Sequence, residues 1–275
     1  MNFHLSPTGN ASGPMHLQED KISHSFLKTG GQDDFQKVYR ACRWRRHHRS
    51  NYHRAHRRAS YRTINAGDSL AFEFVARDAG AYMVHCGTPP VTMHVMQGMY
   101  LPIIVDPRDG WGTKADKEFV LVQSEFYAKA AEVDGGSIAA TMQPDWEAAM
   151  AKSPSQVVFN GRAFQYKDAP LKVEVGDRVR IFVINAGPSF NSGFHIVGAI
   201  FDRVYPDGDP EHALANVQTY MVPAGGGAVF ETVFDKDASG EGLYPFVTHS
   251  FADAEKGGVG IIQVGTPKQF KTMSH

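Results

Sequence analysis

Short stretches with alternating apolar and polar side chains recur along most of this chain, and turn residues separate them. A period of two places successive side chains on opposite faces of an extended strand, as for Leu70, Phe72 and Phe74. This pattern predicts strands at 69–75, 82–86, 100–105, 118–127, 157–159, 171–175, 178–185, 193–200, 217–222, 228–234, 243–248 and 259–264. One short helix is predicted at 143–152, with Pro144 and Asp145 in its first turn. Many short strands between turns are typical of an all-β sandwich or Greek-key barrel.

Composition supports this fold class and narrows the range of partners. The 275 residues suffice for two ordinary domains, and 27 Gly and 15 Pro suit strands and turns. The formal net charge of −1 gives no general attraction to nucleic acid, and no apolar run is long enough for a transmembrane segment. With only two cysteines, Cys42 and Cys86, a disulfide framework is not expected. No signal peptide is predicted at the start, where residues 1–4 resemble the middle of a strand.

An internal repeat divides the chain into two related β domains. The first half carries, in order, Asn2-Phe3-His4, Ala66-Gly67, Phe72, Tyr82 and His85, and the second half Gly193-Phe194-His195, Ala224-Gly225, Phe230, Tyr244 and His249. We expect a first domain at 1–112, a second at 113–266 and a tail at 267–275. The first two repeated motifs are farther apart in the first half: 62 residues separate His4 from Ala66, whereas 29 separate His195 from Ala224, a difference of 33. The first domain is therefore expected to be incomplete, lacking its early strands and carrying an insertion at about 10–62.

Arg and His dominate the middle of this insertion, at residues 39–58. The segment has apolar spacing of neither a strand nor a helix, and such blocks are usually solvated and disordered. Two alternatives stay open, namely a basic arm for nucleic acid or acidic surfaces, and an altered reading frame.

The strongest chemical motif follows the strand that ends near residue 86. Cys86, His94 and Met99 have the spacing Cys-x7-His-x4-Met, which offers a soft metal a thiolate, an imidazole and a weak thioether. These are three of the four ligands of a blue-copper site. The alternative is that Cys86 and Met99 fill the core, where both residue types are common.

His85 directly precedes Cys86, so on an extended chain its side chain points to the opposite face. If Cys86 binds copper within its own domain, His85 faces outward and is placed to bind a second metal. Electrons would then have a short covalent path between the two metals. The alternative is an ordinary surface histidine.

These residues, within two tandem β domains, resemble the copper-containing nitrite reductases and related two-domain multicopper oxidases. The resemblance covers residues 63–266 and, weakly, residues 1–5. It implies two cupredoxin-like Greek-key barrels, with Cys86, His94 and Met99 at a type 1 copper. The other type 1 histidine would lie five residues before His4, ahead of the first residue. The type 2 copper would take His4 and His85, together with His249 from a neighbouring subunit.

The resemblance also implies the partners and the location. Nitrite, or another small molecule, would be the substrate, reduced to nitric oxide at type 2 copper with electrons that enter at type 1. A small cupredoxin or a cytochrome would donate those electrons. The protein would be a homotrimer in the periplasm or at the cell surface.

Two positions depart from the family pattern. The family has a proton-relaying Asp where this chain has Asn2, which cannot act as an acid. It has a second catalytic His five residues after the position of His195, where this chain has Ile200. His195 is the remaining candidate for that pocket, with a core or supporting histidine as the alternative. Two other functions stay open, a laccase-like oxidase and a non-catalytic or defective copper-binding protein.

Overall fold

The computed structural model describes residues 76–130, 142–235 and 240–266, and the backbone of three earlier strands. Those strands are β1 (Asn2–Leu5), β2 (Met15–Asp20) and β3 (Phe72–Phe74), which form an antiparallel sheet in the order β1-β2-β3. β2 lies within the stretch 10–62 that the sequence interpretation treats as an insertion. The Arg/His segment at 39–58, Cys42 and the tail at 267–275 lie outside the described residues.

Two further strands form a hairpin, β4 (Gly80–His85) and β5 (Tyr100–Val105). They pair in antiparallel register from Gly80↔Val105 to His85↔Tyr100. A small two-stranded sheet lies further along the chain, formed by β7 (Ala128–Ala130) and β8 (Met142–Pro144).

The part of the chain after residue 116 forms a sandwich of two sheets. The six-stranded sheet has the order β14-β13-β16-β11-β6-β9, and its strands in chain order are β6 (Lys117–Phe126), β9 (Gln156–Phe159), β11 (Arg178–Gly187), β13 (Phe201–Pro206), β14 (Leu214–Val217) and β16 (Gly227–Val233). The five-stranded sheet has the order β10-β18-β17-β12-β15, with β10 (Leu171–Val173), β12 (Ser192–Ile196), β15 (Thr219–Val222), β17 (Gly242–Thr248) and β18 (Val259–Val264).

Aromatic side chains fill the space between these two sheets. Phe194 and Phe230 are fully buried, and their ring centroids are 4.8 Å apart. On β17 the alternation sends Tyr244 and Phe246 inward, so the odd-numbered residues of that strand face outward. Fully burying one such ring contributes roughly 1.5–3 kcal/mol to the free energy of folding, so this core stabilises the sandwich. It also fixes which side chains of each strand point inward.

The β4–β5 hairpin packs on the outer side of the six-stranded sheet. Ala81 and Ile104 of the hairpin join a buried cluster with Phe182, Ile184 and Val229 of the sheet. The backbones approach closely, because the amide of Ala81 donates to the carbonyl of Asp207 at 3.1 Å.

A buried arginine fastens the connection between hairpin and sandwich. Arg180 is 3% exposed, and its guanidinium donates to Glu231 at 2.7 Å, to Glu118 at 2.8 Å and to the carbonyl of Thr113 at 2.9 Å. It also lies 5.1 Å from the ring of Trp111. These charged hydrogen bonds replace the water that each carboxylate loses on burial. Because Thr113 belongs to the segment after β5, the bonds hold that segment against the sheet.

Four helices of only four or five residues are described, α1 (Val91–Val95), α2 (Trp146–Met150), α3 (Gln165–Asp168) and α4 (Phe251–Glu255). The expected all-β class is therefore confirmed. The helix predicted at 143–152 is present but shorter, as α2. That helix begins where the side chain of Asp145 accepts from the amide of Ala148 at 3.0 Å.

Several features of the fold differ from the prediction. Strands β7 and β8 were not predicted, and β8 covers the start of the expected helix. The strand expected at 193–200 ends at Ile196, and β13, which follows at Phe201–Pro206, was missed. The single strand expected at 217–222 is two strands in different sheets, because the chain changes sheets around Gln218. Short apolar runs do not reveal such a change, because only Gln218 separates the two strands.

The packing of the hairpin predicts the effect of adding one methyl group at Gly227. A Cβ there would overlap the carbonyl oxygen of Ala81, and a backbone atom cannot move aside cheaply. We expect Gly227→Ala to lower the free energy of unfolding by about 1–3 kcal/mol, measured by urea unfolding. Gly193→Ala is the control, since its Cβ would meet nothing nearer than 3.5 Å. Equal stability of the two variants would contradict the close approach.

Candidate metal centre

Backbone hydrogen bonds tie the three motif residues together. The amide of Cys86, which follows β4, donates to the carbonyl of Met99 at 3.0 Å. The amide of Met99 donates in turn to the carbonyl of His94 at 3.2 Å. These bonds close residues 86–99 into one loop, although Cys86 and Met99 are thirteen positions apart in the sequence. We call this segment the copper loop.

Local sequence explains the shape of the copper loop. Pro89 and Pro90 cannot extend the ladder of β4, and α1 begins directly after them. α1 carries His94, and its buried residue Val95 faces the protein. Gly98, with φ +88°, then lets the chain turn back into β5 without a side-chain clash.

The donors of the copper loop suit copper. Cys86 and His94 are half-buried and Met99 is 37% exposed, so thiolate, imidazole and thioether all lie near the surface. Across residues 76–130, 142–235 and 240–266, no three side chains of His, Cys, Asp or Glu converge on one point. A set of one Cys, one His and one Met favours copper over zinc, calcium or magnesium.

His85 is exposed, as expected from its position directly before Cys86. Its Nδ1 lies 2.9 Å from the carbonyl oxygen of Cys86. A carbonyl oxygen only accepts, so Nδ1 donates, and in the neutral imidazole Nε2 keeps a free lone pair. The side chain is thus prepared to bind a metal through Nε2.

Two more candidate residues lie side by side on the outer face of the five-stranded sheet. His249 follows Thr248, which points inward, and the amide of His249 donates to the carbonyl of Gly193 at 2.7 Å. His195 is on the neighbouring strand β12, and its ring centroid is 5.0 Å from that of His249. The Nδ1 of His195 donates to the carbonyl of Gln218 at 2.6 Å, so its Nε2 is also free to accept a proton or a metal.

Ile200 comes after the end of β12, where the chain leaves the five-stranded sheet. It precedes β13 in the other sheet, is 51% exposed, and its carbonyl accepts from the Thr232 hydroxyl at 3.0 Å. His195 is half-buried beside His249 and is therefore not a core histidine. Asn2 and His4 lie on β1, where only the backbone pairing Asn2↔Asp20 and His4↔Gln18 is described.

Sequence reasoning missed a buried acid beneath the copper loop. Glu125 is 1% exposed, and it accepts from the Tyr127 hydroxyl and from the amide of Phe190 at 2.7 Å. Burial raises the pKa of Glu125, and the charge of Asp253 adds to that effect. Burial, followed by the bond to Glu125, also raises the pKa of Tyr127. The sequence did contain a signal for this acid. Glu125 is two positions after Gln123 on a predicted strand, so a charged side chain falls on the face that points into the protein.

Known copper proteins resemble this chain both in sequence and in structure. A family model described as multicopper oxidase matches residues 3–109. A copper-containing nitrite reductase of Neisseria gonorrhoeae is 42% identical over 201 residues, which are 72% of this chain and 48% of that protein. A solved copper nitrite reductase from Nitrosomonas europaea matches with a TM-score of 0.63 and 34% identity, over 74% of this chain and 68% of that one. A second, from Thermus scotoductus, matches with a TM-score of 0.64 and 30% identity, over 74% and 45%.

The fold and these likenesses define an all-β copper protein of the cupredoxin type. The chain belongs to the family of copper-containing nitrite reductases and multicopper oxidases. The prediction of copper as cofactor is confirmed by this family, whereas the assignment of single residues to type 1 and type 2 copper stays a prediction. The chain spans about half the length of the curated relatives it matches. Within its described residues, no helix has the length and hydropathy needed to cross a membrane.

Proposed function

We propose that this chain provides the copper sites of an oxidoreductase that reduces nitrite to nitric oxide. One observation carries the proposal, namely the closed copper loop in which Cys86, Met99 and His94 are joined by backbone hydrogen bonds. The named relatives support nitrite as the substrate, and the location proposed with it is the periplasm or cell surface.

Cys86, His94 and Met99 are the proposed type 1 ligands. His85, with its free Nε2, is a proposed type 2 ligand, together with His4 and with His249 of a neighbouring subunit. Bound copper would supply one-electron transfer at the first site and would polarise a small ligand at the second. The chain's own contribution is the direct bond from Cys86 to His85, which gives electrons a short path between the sites.

An apolar surface around His195 and His249 supports the sharing of the second site between subunits. The outward residues of β17 and its neighbours are largely hydrophobic: Val197, Met221, Leu243, Pro245, Val247, Val259 and Ile261. Val197, Met221 and Leu243 are each about half exposed. Such a face is typical of an interface, and a second copy of the chain would bring its own His85 to this surface. A homotrimer is the assembly proposed from the family.

His195 is the proposed proton carrier at the second site. Gln218 fixes the proton on its Nδ1, which leaves Nε2 to take up and release a proton beside His249. Nitrite reduction consumes two protons for each electron, so a residue of this kind is required. Asn2 cannot take the role of an acid, because an amide does not titrate.

The surface beside the copper loop is the proposed docking area for an electron donor, a small cupredoxin or a cytochrome. Met99 is exposed there, and so are Val91, Met142, Trp146 and Met150. The helix α2 packs on the copper loop through Ala149, which brings its exposed residues next to that loop. An apolar surface around a redox site suits a transient partner that must approach closely and leave again.

A laccase-like function is the second candidate, supported by a likeness to a solved multicopper oxidase at 28% identity and a TM-score of 0.60. A trinuclear copper cluster needs several His-x-His pairs and a His-Cys-His. This sequence contains no His-x-His, and Gly87 follows Cys86. Nitrite reduction is therefore the better supported activity. A non-catalytic copper-binding role is the third candidate, and measured turnover separates it from the first.

Removal of the thiolate tests the type 1 site. We expect Cys86→Ser to abolish the visible absorption of the copper-loaded chain, because that colour requires a copper–sulfur bond. Met99→Leu is expected to keep the colour and to raise the reduction potential, since the axial thioether only tunes the metal. Absorption spectra and redox titration measure both effects. Colour that persists in the Cys86 variant would refute the assignment.

Removal of His249 tests the shared second site. We expect His249→Ala to lose one of two copper ions per chain, because the site then keeps too few imidazoles. Metal analysis of the reconstituted protein measures the count. His212→Ala is the matched control, as His212 is an exposed histidine bonded to Asp209. An unchanged copper count in the His249 variant would rule out its role as a ligand.

Turnover tests the proton carrier. We expect His195→Gln to lower the rate of nitric oxide release by about 10²-fold or more, the usual contribution of general acid–base catalysis. Ile200→His is the comparison, and it should change the rate less, because Ile200 is exposed and precedes β13 in the other sheet. The assay uses copper-loaded protein and an artificial electron donor. If Ile200→His restores activity to a His195→Gln chain, then Ile200 marks the proton-carrying position after all.

A further inference from the structure

The copper loop rests on a floor that belongs to a different part of the chain. Its two inward methionines, Met93 and Met96, pack against Tyr127 and Ala149 in a separate small cluster. Met93 directly precedes His94, and Met96 comes two residues after it, so both contacts flank the imidazole ligand. The position of α1 therefore depends on what holds Tyr127 and Ala149 in place.

Tyr127 fixes this floor through both its backbone and its side chain. Its carbonyl accepts from the amide of Asp145 at 2.9 Å, and Asp145 in turn caps the helix that contains Ala149. Its hydroxyl donates to the carboxylate of Glu125 and lies 3.3 Å from the hydroxyl of Ser189. The ring is 1% exposed, so water does not compete for these bonds.

Glu125 is the anchor of this arrangement. The carboxylate also accepts from the amides of Ser189 at 3.2 Å and Phe190 at 2.7 Å, both in the turn between β11 and β12. Among the described residues, no Lys or Arg pairs with it. A buried carboxylate without a cation is costly, and an apolar residue of similar size would usually serve stability better. The presence of an acid at this position is thus better explained by its role in orienting three hydrogen-bond donors than by a gain in stability.

We propose that Tyr127, held by the buried carboxyl of Glu125, is a positioning residue for the copper ligand His94. This inference rests on the proposed function, because it takes the copper loop as the metal site. Cys86 is anchored at the end of β4, whereas His94 is carried by α1 on the Tyr127 floor. A movement of that floor changes the position of the imidazole relative to the thiolate. The colour and reduction potential of a copper–thiolate site are sensitive to such changes in ligand geometry.

The experiment compares Tyr127→Phe with Tyr166→Phe in the copper-loaded chain. Both tyrosines are 1% exposed, and each variant removes a hydroxyl that has a hydrogen-bond partner. Tyr166 belongs to the core between the two sheets, where it lies against Phe246 and Asn160. We expect Tyr127→Phe to shift both the thiolate–copper absorption band and the reduction potential, and Tyr166→Phe to shift neither. The thermal midpoint of the metal-free chains is measured alongside and is expected to fall in both.

Two more variants make the test specific to the bond. Glu125→Gln keeps the shape of the side chain and is expected to shift the potential in the same direction, which also serves if Tyr127→Phe does not fold. The double variant should shift it no further than the larger single change, because both changes break one interaction. Wild-type bands in the Tyr127 and Glu125 variants, or equal shifts in the Tyr166 control, would overturn the inference. Absence of a thiolate–copper band in the unaltered chain would instead overturn the proposed function.

Discussion

The close packing of the β4–β5 hairpin on the six-stranded sheet is the constraint on which the site depends. Backbone meets backbone at Ala81 and Asp207, and there is no room for a side chain at Gly227. Because the hairpin cannot slide on this surface, the loop at its far end is held at one position over the sandwich. The buried Arg180 strengthens this arrangement by fixing the segment that leaves the hairpin.

The two candidate sites differ in how much of each the single chain provides. The copper loop is closed by its own hydrogen bonds, and its floor lies within the same chain. His195 and His249, by contrast, stand on an open sheet face among apolar side chains. A ligand set that is incomplete on such a face suits a site completed by a partner subunit. Under the proposed function, assembly would then be a condition for activity.

Buried polar groups are concentrated at the junctions between the parts of this protein. Glu231 and Arg180 join the segment after the hairpin to the sheet, and Glu125 joins the floor of the copper loop to the turn before β12. Each group is satisfied by several partners, which lowers the cost of its burial. Polar junctions of this kind demand one particular arrangement of their donors, and so they specify where the parts meet more strictly than an apolar contact does.

The sequence by itself determined the all-β class, most of the strands, the Cys86, His94 and Met99 motif, and the outward direction of His85. These features follow from local rules, since alternation fixes the face of a side chain and ligand spacing fixes the chemistry. The tertiary structure decided that His195 lies beside His249, because that depends on which strands become neighbours. It likewise revealed the pairing of Glu125 with Tyr127 and the division of 214–222 into strands of two sheets. Such relations join residues that are distant in the chain or turn at a single residue, and no local pattern records them.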